Sequence, residues 1–473
     1  MLDNNTLFDI GFRFCLDSME LMTPYGEELS RRPHYYSRGE ENELYAEQEN
    51  VQKLIEAVHG STDRVNALMR LLMPVKDIRR SIEGLECRTL NEVELFEVKR
   101  FLLQLELIAP AAEELCKGLS GIKITALPGA LDMIDPDGTR SPSFYVSDRF
   151  HPELARIRRE RRAVDEQIKR DGLTDELSAL RTRLAAEQED AEQEARGRLC
   201  AGLKAYAPPL LENAVSIGKL DYALAKARLA VRLGAAMPKV GGTRFDMRGM
   251  TNPKFAAALA GKGRGFVPVS LELDEGSTVI TGASMGGKSI AIKTLALNVQ
   301  LAMCGFAVFA EAAELPFIEN IALLSEDRED ALSGLSSFGG EMRAFDTILK
   351  ETDGMRSLVL LDEFARGTNP HEGAALVRAA VRLFNRRKGC YAVVATHFDG
   401  IARLASRHYQ VAGLRNADPA AIRAKVATGT GSLADFMDYG LYPVAPDEEP
   451  PRDAITIIHA LGVTSEFTDL IDI

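Results

Sequence analysis

The stretch TGASMGGKSI, residues 281–290, fits the pattern G-x-x-x-x-G-K-[ST] in full. It follows a strand-like apolar run, STVITGA, and opens a predicted helix, which is the context that the pattern requires. Glycines let the backbone wrap phosphate groups and direct its N–H groups at them, whereas the alternative is an ordinary glycine-rich turn. The stretch predicts a nucleotide-binding loop that contains Gly282, Ser284, Gly286, Gly287, Lys288, Ser289 and Ile290.

A second apolar run ends in two acids. SLVLLDEF, residues 357–364, reads as a strand that closes on Asp362 and Glu363. With ATP in the loop, Lys288 supplies positive charge to the β- and γ-phosphates, and Ser289 and Asp362 bind Mg²⁺. Glu363 is placed to polarise the attacking water as general base. Two acids after a strand are a weak signal alone, but they become a strong one downstream of such a loop.

The amino-acid composition limits the classes of protein to which this chain can belong. The 473 residues carry a net charge of -12, with 46% hydrophobic and 27% charged residues, as in soluble globular proteins. This charge argues against a uniformly basic nucleic-acid coat but leaves room for a local basic patch. The six cysteines lie far apart without a CxxC pair, which favours free thiols in a reducing compartment. Neither a secretory signal nor a membrane-spanning run is present, so we predict a cytoplasmic protein.

The first 145 residues read mainly as helices. Apolar residues recur at three- and four-residue spacing, and Gly60 and Gly118 are predicted helix stops. Asp137-Gly138 is a candidate for a short hairpin turn. Farther on, Pro208-Pro209 breaks the helical pattern before it resumes over 210–234.

Residues 151–200 predict two helices packed as an arm, because two apolar stripes are separated by Asp171-Gly172. The charges are segregated, with RIRRERR at 156–162 and EQEDAEQEAR at 187–196. A solvated helical face is one interpretation. The other is an arm whose basic part contacts DNA phosphates or an acidic partner. The candidate contact residues are Arg156, Arg158, Arg159, Arg161 and Arg162.

From about residue 264 short apolar runs alternate with helical stretches. The strand-like runs are STVITGA, FAVFAE, SLVLLDEF and YAVVATH. This alternation predicts an α/β domain with a largely parallel sheet.

Four motifs in their order resemble the ATPase domain of the MutS family, a branch of the ABC-type ATPases, over residues 264–405. They are TGASMGGKSI, SGLSSFGGEM, SLVLLDEFARGTNPHEG and YAVVATHFDG. Weaker similarity extends upstream: LMTPYGEELSRRP and LDYALAKARLA resemble the start and the return of the family's helical core and lever.

The resemblance implies further site residues. Phe266 matches an aromatic that stacks on adenine, although a core phenylalanine is the alternative. Ser333 and Gly334 match the signature segment that reaches the γ-phosphate of the other subunit, and otherwise they are a loop or helix cap. His397 matches the histidine near the water and the γ-phosphate, which makes it a catalytic candidate with Glu363 and Lys288. Residues 366–368 match a loop that crosses between subunits.

A signature that completes the partner's loop implies a dimer, formed with itself or with a related subunit, which ATP tightens and hydrolysis loosens. The chain departs from the family at Ile290, where a threonine is usual, and at Leu335, where an arginine is common. The N-terminal mismatch-reading domain and the Smr domain are expected to be missing. We count the single Phe-x-Glu, Phe317-Ile318-Glu319, as chance.

The expected fold is an all-α core and lever with a short arm, followed by an α/β P-loop ATPase domain of the ABC type. The expected ranges are 1–235 for the core and lever, 236–263 for a connector, 264–440 for the ATPase domain and 441–473 for a helical tail. Two outputs are left open. The ATP cycle clamps DNA, recognising a structure or damage and not a mismatch, or it remodels a protein, such as a cobalamin-dependent aminomutase.

Overall fold

The computed structural model describes residues 2–282, 287–325, 337–414, 417–418, 422, 436–448, 458, 464–468 and 470–471. The chain forms two compact units. The sheet unit comprises Met1–Met19, His34–Gln52 and Lys226–Ile473, and the helical unit comprises Glu20–Pro33 and Lys53–Ala225. The ranges given above for the core and lever, the connector, the ATPase domain and the tail stay predictions.

Helices make up most of the N-terminal half. They are α1 (Asn4–Asp9), α2 (Phe12–Asp17), α3 (Pro24–Arg31), α4 (Glu41–Gly60), α5 (Thr62–Leu72), α6 (Arg79–Cys87), α7 (Glu92–Cys116), α8 (Pro128–Ile134), α9 (Leu154–Asp171), α10 (Asp175–Leu203) and α11 (Ala207–Leu233). Farther along the chain are α12 (Pro253–Ala260), α13 (Lys288–Met303), α14 (Ser337–Glu351), α15 (Pro370–Phe384) and α16 (Ser465–Thr468). None of these described helices is long and apolar enough to cross a membrane.

Helix ends follow the predicted signals in most places. α4 ends at Gly60, and Gly118, with φ +83°, follows the end of α7, so both predicted stops are confirmed. Pro208 and Pro209 lie in the first turn of α11, where a missing N–H is tolerated. The α-helical pattern is interrupted just before them by the 3₁₀ turn Lys204–Tyr206, which separates α10 from α11, so the predicted break is confirmed.

The two helices predicted for the arm are present and pack against each other. Gly172, with φ +88°, ends α9, and Thr174 caps the start of α10 with its side chain. One apolar cluster joins the facing sides of the hairpin: Leu154, Ile157, Val164, Leu184, Ala191 and Ala195.

A buried carboxylate ties the start of the helical unit to its end. Asp221 of α11 is 2% exposed and accepts hydrogen bonds from the Thr23 hydroxyl (2.7 Å), the Thr23 N–H (2.8 Å) and the Met22 N–H (3.1 Å). Thr23 in turn caps α3 by accepting from the Gly26 N–H. These contacts join the two segments whose sequences resemble the start and the return of the helical core.

Two sheets form the sheet unit. Their strands are β1 (Lys239–Val240), β2 (Phe245–Met250), β3 (Val269–Leu273), β4 (Gly276–Thr281), β5 (Ala312–Leu315), β6 (Asn320–Leu324), β7 (Ser357–Asp362), β8 (Cys390–Ala395), β9 (Arg407–Gly413) and β10 (Asp438–Pro443). The smaller sheet has the order β1-β5-β2-β3, and the larger has the order β10-β9-β4-β8-β7-β6. Only β10 is antiparallel among the described strands of the larger sheet, which confirms the prediction of a largely parallel sheet.

The apolar run FAVFAE, residues 306–311, does not form the predicted strand. The Phe309 N–H donates to the Asn298 side chain (2.7 Å), and Val308 makes only an isolated bridge to Ala236. The run is apolar because it is buried core, and its backbone is satisfied without a neighbouring strand.

One other local expectation is wrong. Residues 127–148, all of them described, form no hairpin around Asp137 and Gly138, because aspartate side chains bind the local backbone and hydroxyl groups instead. Asp135 accepts from the Arg140 N–H (2.8 Å), and Asp137 accepts from the Ser147 hydroxyl (2.9 Å). The segment 236–263, expected as a connector, carries β1, β2 and α12.

We predict that Asp221→Ala lowers the free energy of unfolding by about 3 kcal/mol, because it leaves two buried donors of Thr23 and one part-buried N–H of Met22 without their acceptor. Urea denaturation followed by circular dichroism measures the change. Asp190→Ala is the matched control, since Asp190 lies exposed on α10, and its midpoint should stay close to that of the wild type. Equal midpoints for the two variants would contradict the role given to Asp221.

Candidate functional site

Three neighbouring parallel strands end side by side, and their carboxyl ends carry predicted site residues. β4 leads into Gly282, β7 ends at Asp362, and β8 leads through Thr396 to His397. The register pairs Ala395 of β8 with both Ile280 and Asp362. The sheet therefore brings the glycine loop and the two acids to one edge, where parallel α/β sheets place their ligand sites.

Two glycines of the predicted nucleotide loop adopt backbone angles that other residues avoid. Gly282 has φ +132°, and a Cβ there would lie 3.1 Å from the Val411 carbonyl oxygen. Gly287 has φ +89° at the start of α13, and a Cβ there would lie 3.3 Å from the Tyr439 ring. The fold requires glycine at both positions. Residues 283–286, which include Ser284 and Gly286, lie outside the described residues.

Lys288 is a buried cation at this edge. It is 2% exposed, and its Nζ donates to the Gly282 carbonyl at 2.8 Å and lies 3.5 Å from Oε1 of Glu363. Burial lowers the pKa of the Lys288 ammonium group, and the nearby Glu363 carboxylate opposes that shift. The lysine predicted to bind phosphate thus contacts the predicted general base.

Asp362 has the properties of a cation ligand. Burial raises the pKa of its carboxyl, and a hydrogen bond from the Ser289 side chain acts against that rise. Its Oδ1 is buried and has no hydrogen-bond partner among the described residues. A carboxylate oxygen that lacks a donor, beside a serine hydroxyl, fits Mg²⁺, which takes one or two protein oxygens and completes its shell with substrate and water.

The described residues contain no group of three or more His, Cys, Asp and Glu side chains that could hold a metal ion. A cation held by Ser289 and Asp362 would therefore draw its other ligands from a bound nucleotide and from water.

Glu363 follows in a left-handed backbone conformation. Its φ is +56°, its N–H donates to the Ala395 carbonyl (3.1 Å), and it is 8% exposed. Its Oε2 accepts a hydrogen bond from Arg366 at 2.8 Å. Ala365 also has a positive φ, +62°, and its N–H donates to the Glu341 carboxylate at 2.9 Å. The turn after β7 is held by side chains on both sides.

The other predicted site residues are His397, Phe266, Ile290, Ser333 and Gly334. His397 is exposed, and the centroid of its ring lies 4.4 Å from that of Phe398. Phe266 precedes β3 and is half-buried, so it is neither fully exposed nor a core residue, and Ile290 is half-buried in α13. Ser333 and Gly334 lie outside the described residues.

Sequence reasoning missed two sets of contacts at this edge. Glu341 lies in the motif SGLSSFGGEM, so its position could have drawn attention to it. His408 gave no signal, yet its Nε2 is 2.8 Å from the Thr281 hydroxyl, and its Nδ1 is 2.9 Å from the Ala445 carbonyl. Gln410 also donates to the Thr281 hydroxyl (3.4 Å). A buried polar network thus supports the strand that leads into the loop.

Residues 278–428 match MutS domain V. The DNA mismatch repair protein MutS of Thermus aquaticus is 31% identical over 326 residues, which are 68% of this chain and 38% of that protein. A MutS of Thermus thermophilus is 37% identical over 199 residues, 42% of this chain and 24% of that protein. Endonuclease MutS2 of Solidesulfovibrio magneticus is 34% identical over 224 residues, 46% of this chain and 28% of that protein.

The chain thus spans less than two fifths of the length of each of these relatives. The domain match covers the strand before the glycine loop, the two acids and the histidine after β8. Through this domain and these relatives, the chain belongs to the MutS family.

Proposed function

We propose that this chain is a Mg²⁺-dependent ATP hydrolase whose sheet unit has the P-loop, ABC-type arrangement. The observation that carries the proposal is the meeting, at one sheet edge, of a buried lysine, a carboxylate with an oxygen that has no partner among the described residues, and a second carboxylate. These residues are Lys288, Asp362 and Glu363. The match of residues 278–428 to MutS domain V supports an ATP-using protein of this family.

ATP is the substrate in this proposal. The N–H groups of the glycine loop and Lys288 bind its phosphates, and Ser289 and Asp362 hold Mg²⁺. Bound Mg²⁺ supplies positive charge that stabilises the charge developing on the phosphate oxygens. Glu363 accepts a proton from the attacking water, and His397 acts near that water. Phe266 is the proposed contact for adenine.

Glu363→Ala should retain ATP and lose turnover by about 100-fold or more, because it removes the base but leaves the phosphate ligands. Filter retention of labelled ATP and release of phosphate measure the two properties separately. Lys288→Ala is the contrasting variant and should lose ATP retention itself. Normal turnover by Glu363→Ala would exclude Glu363 as the base.

We further propose that the nucleotide cycle drives a dimer that clamps DNA. The DNA mismatch repair names of the relatives support this output. In such a dimer, Ser333 and Gly334 of one subunit would supply a donor to the γ-phosphate bound by the other. Residues 366–368 are the proposed crossing segment. Every cysteine is a free thiol, which supports a reducing cytoplasmic location.

The arm carries less available positive charge than its sequence indicates. Arg156 pairs with Glu153 and Glu160, and Arg158 pairs with Asp148 and Glu192. The segregated charges of α9 and α10 therefore partly neutralise each other.

Arg161 adds a hydrogen bond to Gln188 across the same pair of helices. Because these contacts leave the arm with less positive charge for DNA, they favour a second candidate function. In it, the ATP cycle remodels a client protein, such as a cobalamin-dependent aminomutase.

Arg159 and Arg162 are exposed and take part in none of the ion pairs described above, so an arm–DNA contact depends on them. We predict that Arg159→Ala with Arg162→Ala weakens DNA binding and lowers the salt slope by about 2, because two phosphate contacts are lost. Fluorescence anisotropy on duplex, mismatched and branched DNA, without nucleotide, with ADP and with a non-hydrolysable ATP analogue, measures both.

Arg31→Ala with Arg32→Ala removes the same charge from an exposed site on the helical unit and serves as the control. An intact ATPase that binds no DNA above the non-specific level would contradict the clamp and favour the protein client.

A further inference from the structure

We propose that Arg366 is the positioning residue of the hydrolysis site. It holds one carboxylate oxygen of Glu363, so that the other oxygen is directed at the place where the attacking water must lie. This inference rests on the proposed ATP hydrolysis, and it gives Arg366 a part in the reaction itself, beyond its place in the proposed crossing segment.

The Glu363 carboxylate is divided between two cations. Its Oε2 accepts from Arg366 at 2.8 Å, whereas its Oε1 lies 3.5 Å from Nζ of Lys288. The shorter contact is the charge-assisted hydrogen bond, and the longer one is the easier to separate. Lys288 keeps a hydrogen bond to the Gly282 carbonyl at 2.8 Å and is 2% exposed, so its ammonium group is buried at the start of the predicted nucleotide loop.

Binding of phosphate changes the contact between Lys288 and Glu363. A polyphosphate attracts Lys288 more strongly than one carboxylate does, so Lys288 moves its contact from Oε1 to the phosphate oxygens. Arg366 stays on Oε2, because its side chain reaches Glu363 from the rim, where it is 51% exposed. Oε1 then faces the terminal phosphate with its lone pairs available to a water molecule.

The step that this geometry would serve is the attack of water on the γ-phosphorus of ATP. The water oxygen forms the new bond to the γ-phosphorus, and the bond from phosphorus to the bridging oxygen breaks with its electron pair on ADP. Oε1 of Glu363 takes the proton that the water loses, and the products are ADP and inorganic phosphate.

The backbone around Glu363 shows why a side-chain restraint is needed. Glu363 and Ala365 both have positive φ, at +56° and +62°, which non-glycine residues rarely adopt. The Glu341 carboxylate holds the Ala365 N–H at 2.9 Å, and a Cβ on Gly373 would lie 2.7 Å from the Ala365 carbonyl oxygen. The backbone of the turn is thus fixed by packing, and Arg366 fixes the direction of the carboxylate.

Arginine suits this role better than lysine. Its planar guanidinium group binds a carboxylate in a defined direction, whereas an ammonium group is a point charge that accepts many directions. We therefore expect Arg366→Lys to restore charge at Glu363 but only part of the orientation.

The test uses the full chain with Mg²⁺ and compares Arg366→Ala, Arg366→Lys and Lys350→Ala. Lys350 forms an exposed ion pair with Asp346 on α14 and is the control. Arg366→Ala should lower kcat by about 100-fold with the Kd for ATP within about threefold of the wild type, because a misplaced base affects the chemical step and not substrate binding. The kcat of Arg366→Lys should lie between those of Arg366→Ala and the wild type, and the kcat of Lys350→Ala should match that of the wild type. Thermal melts verify that each variant is folded.

A double-mutant cycle distinguishes positioning from a general structural effect. In single-turnover assays, Glu363→Ala with Arg366→Ala should be no slower than Glu363→Ala alone, because Arg366 has no carboxylate left to orient. An equal loss from Arg366→Ala in both backgrounds would overturn the inference. An unchanged or raised kcat in Arg366→Ala would also overturn it, as would a weakened Kd that accounts for the whole loss.

The wild-type assay separates this inference from the proposed function. If the wild type hydrolyses ATP and Arg366→Ala is equally active, the role of Arg366 is overturned but the proposed function is not. A wild type that neither binds nor hydrolyses ATP overturns the proposed function and the role of Arg366 together.

Discussion

A lysine ammonium group that is 2% exposed keeps its charge only when oxygen ligands surround it. Lys288 finds these ligands in the Gly282 carbonyl and the Glu363 carboxylate. The rest of the site depends on this requirement. β4 and β7 must both flank β8 so that their carboxyl ends meet, and the loop must begin and end on glycines with positive φ. Glu363 must turn back toward the loop, which its left-handed backbone allows. In the proposed reaction, the phosphates of a nucleotide would replace Glu363 as the ligand of this lysine.

Charged side chains that are partly removed from water are usually paired. The same principle changes the interpretation of the arm. A basic stretch and an acidic stretch in sequence suggest two surfaces for two partners. In the hairpin, α9 and α10 lie side by side, and Arg158 bonds to Glu192 while Arg161 bonds to Gln188. What remains available to a polyanion is a smaller cationic face around Arg159 and Arg162. The negative net charge of the chain has a comparable consequence, because DNA binding would need a local surface and not the mean charge.

Prediction of local structure succeeded where the signal was local. The glycine stops, the two apolar stripes of the arm and the buried strands β4, β7 and β8 all follow from patterns within a few residues. It failed at 127–148, where local aspartate contacts replace the predicted hairpin, and at 306–311, where a side chain from another element binds the backbone. The run 306–311 reads as a strand, but the Asn298 side chain binds one of its N–H groups. β9 and β10 gave no clear pattern, although the network of His408 beneath the loop depends on them.

From the order of its amino acids alone, this chain is identifiable as a nucleotide-loop protein of the MutS type, with Lys288, Ser289, Asp362 and Glu363 as its candidate site. This was possible because the loop needs glycines at set intervals and the acids must end a buried strand, and both requirements are short-range. The partners of those residues were decided only by the fold. The contacts of Asp221 with Thr23, of His408 with Thr281 and of Glu341 with Ala365 join residues far apart in sequence, and nothing within either segment specifies the other. Even the division of Glu363 between Lys288 and Arg366 depends on the parallel register of β4, β8 and β7, which places the ends of separate strands within hydrogen-bonding reach.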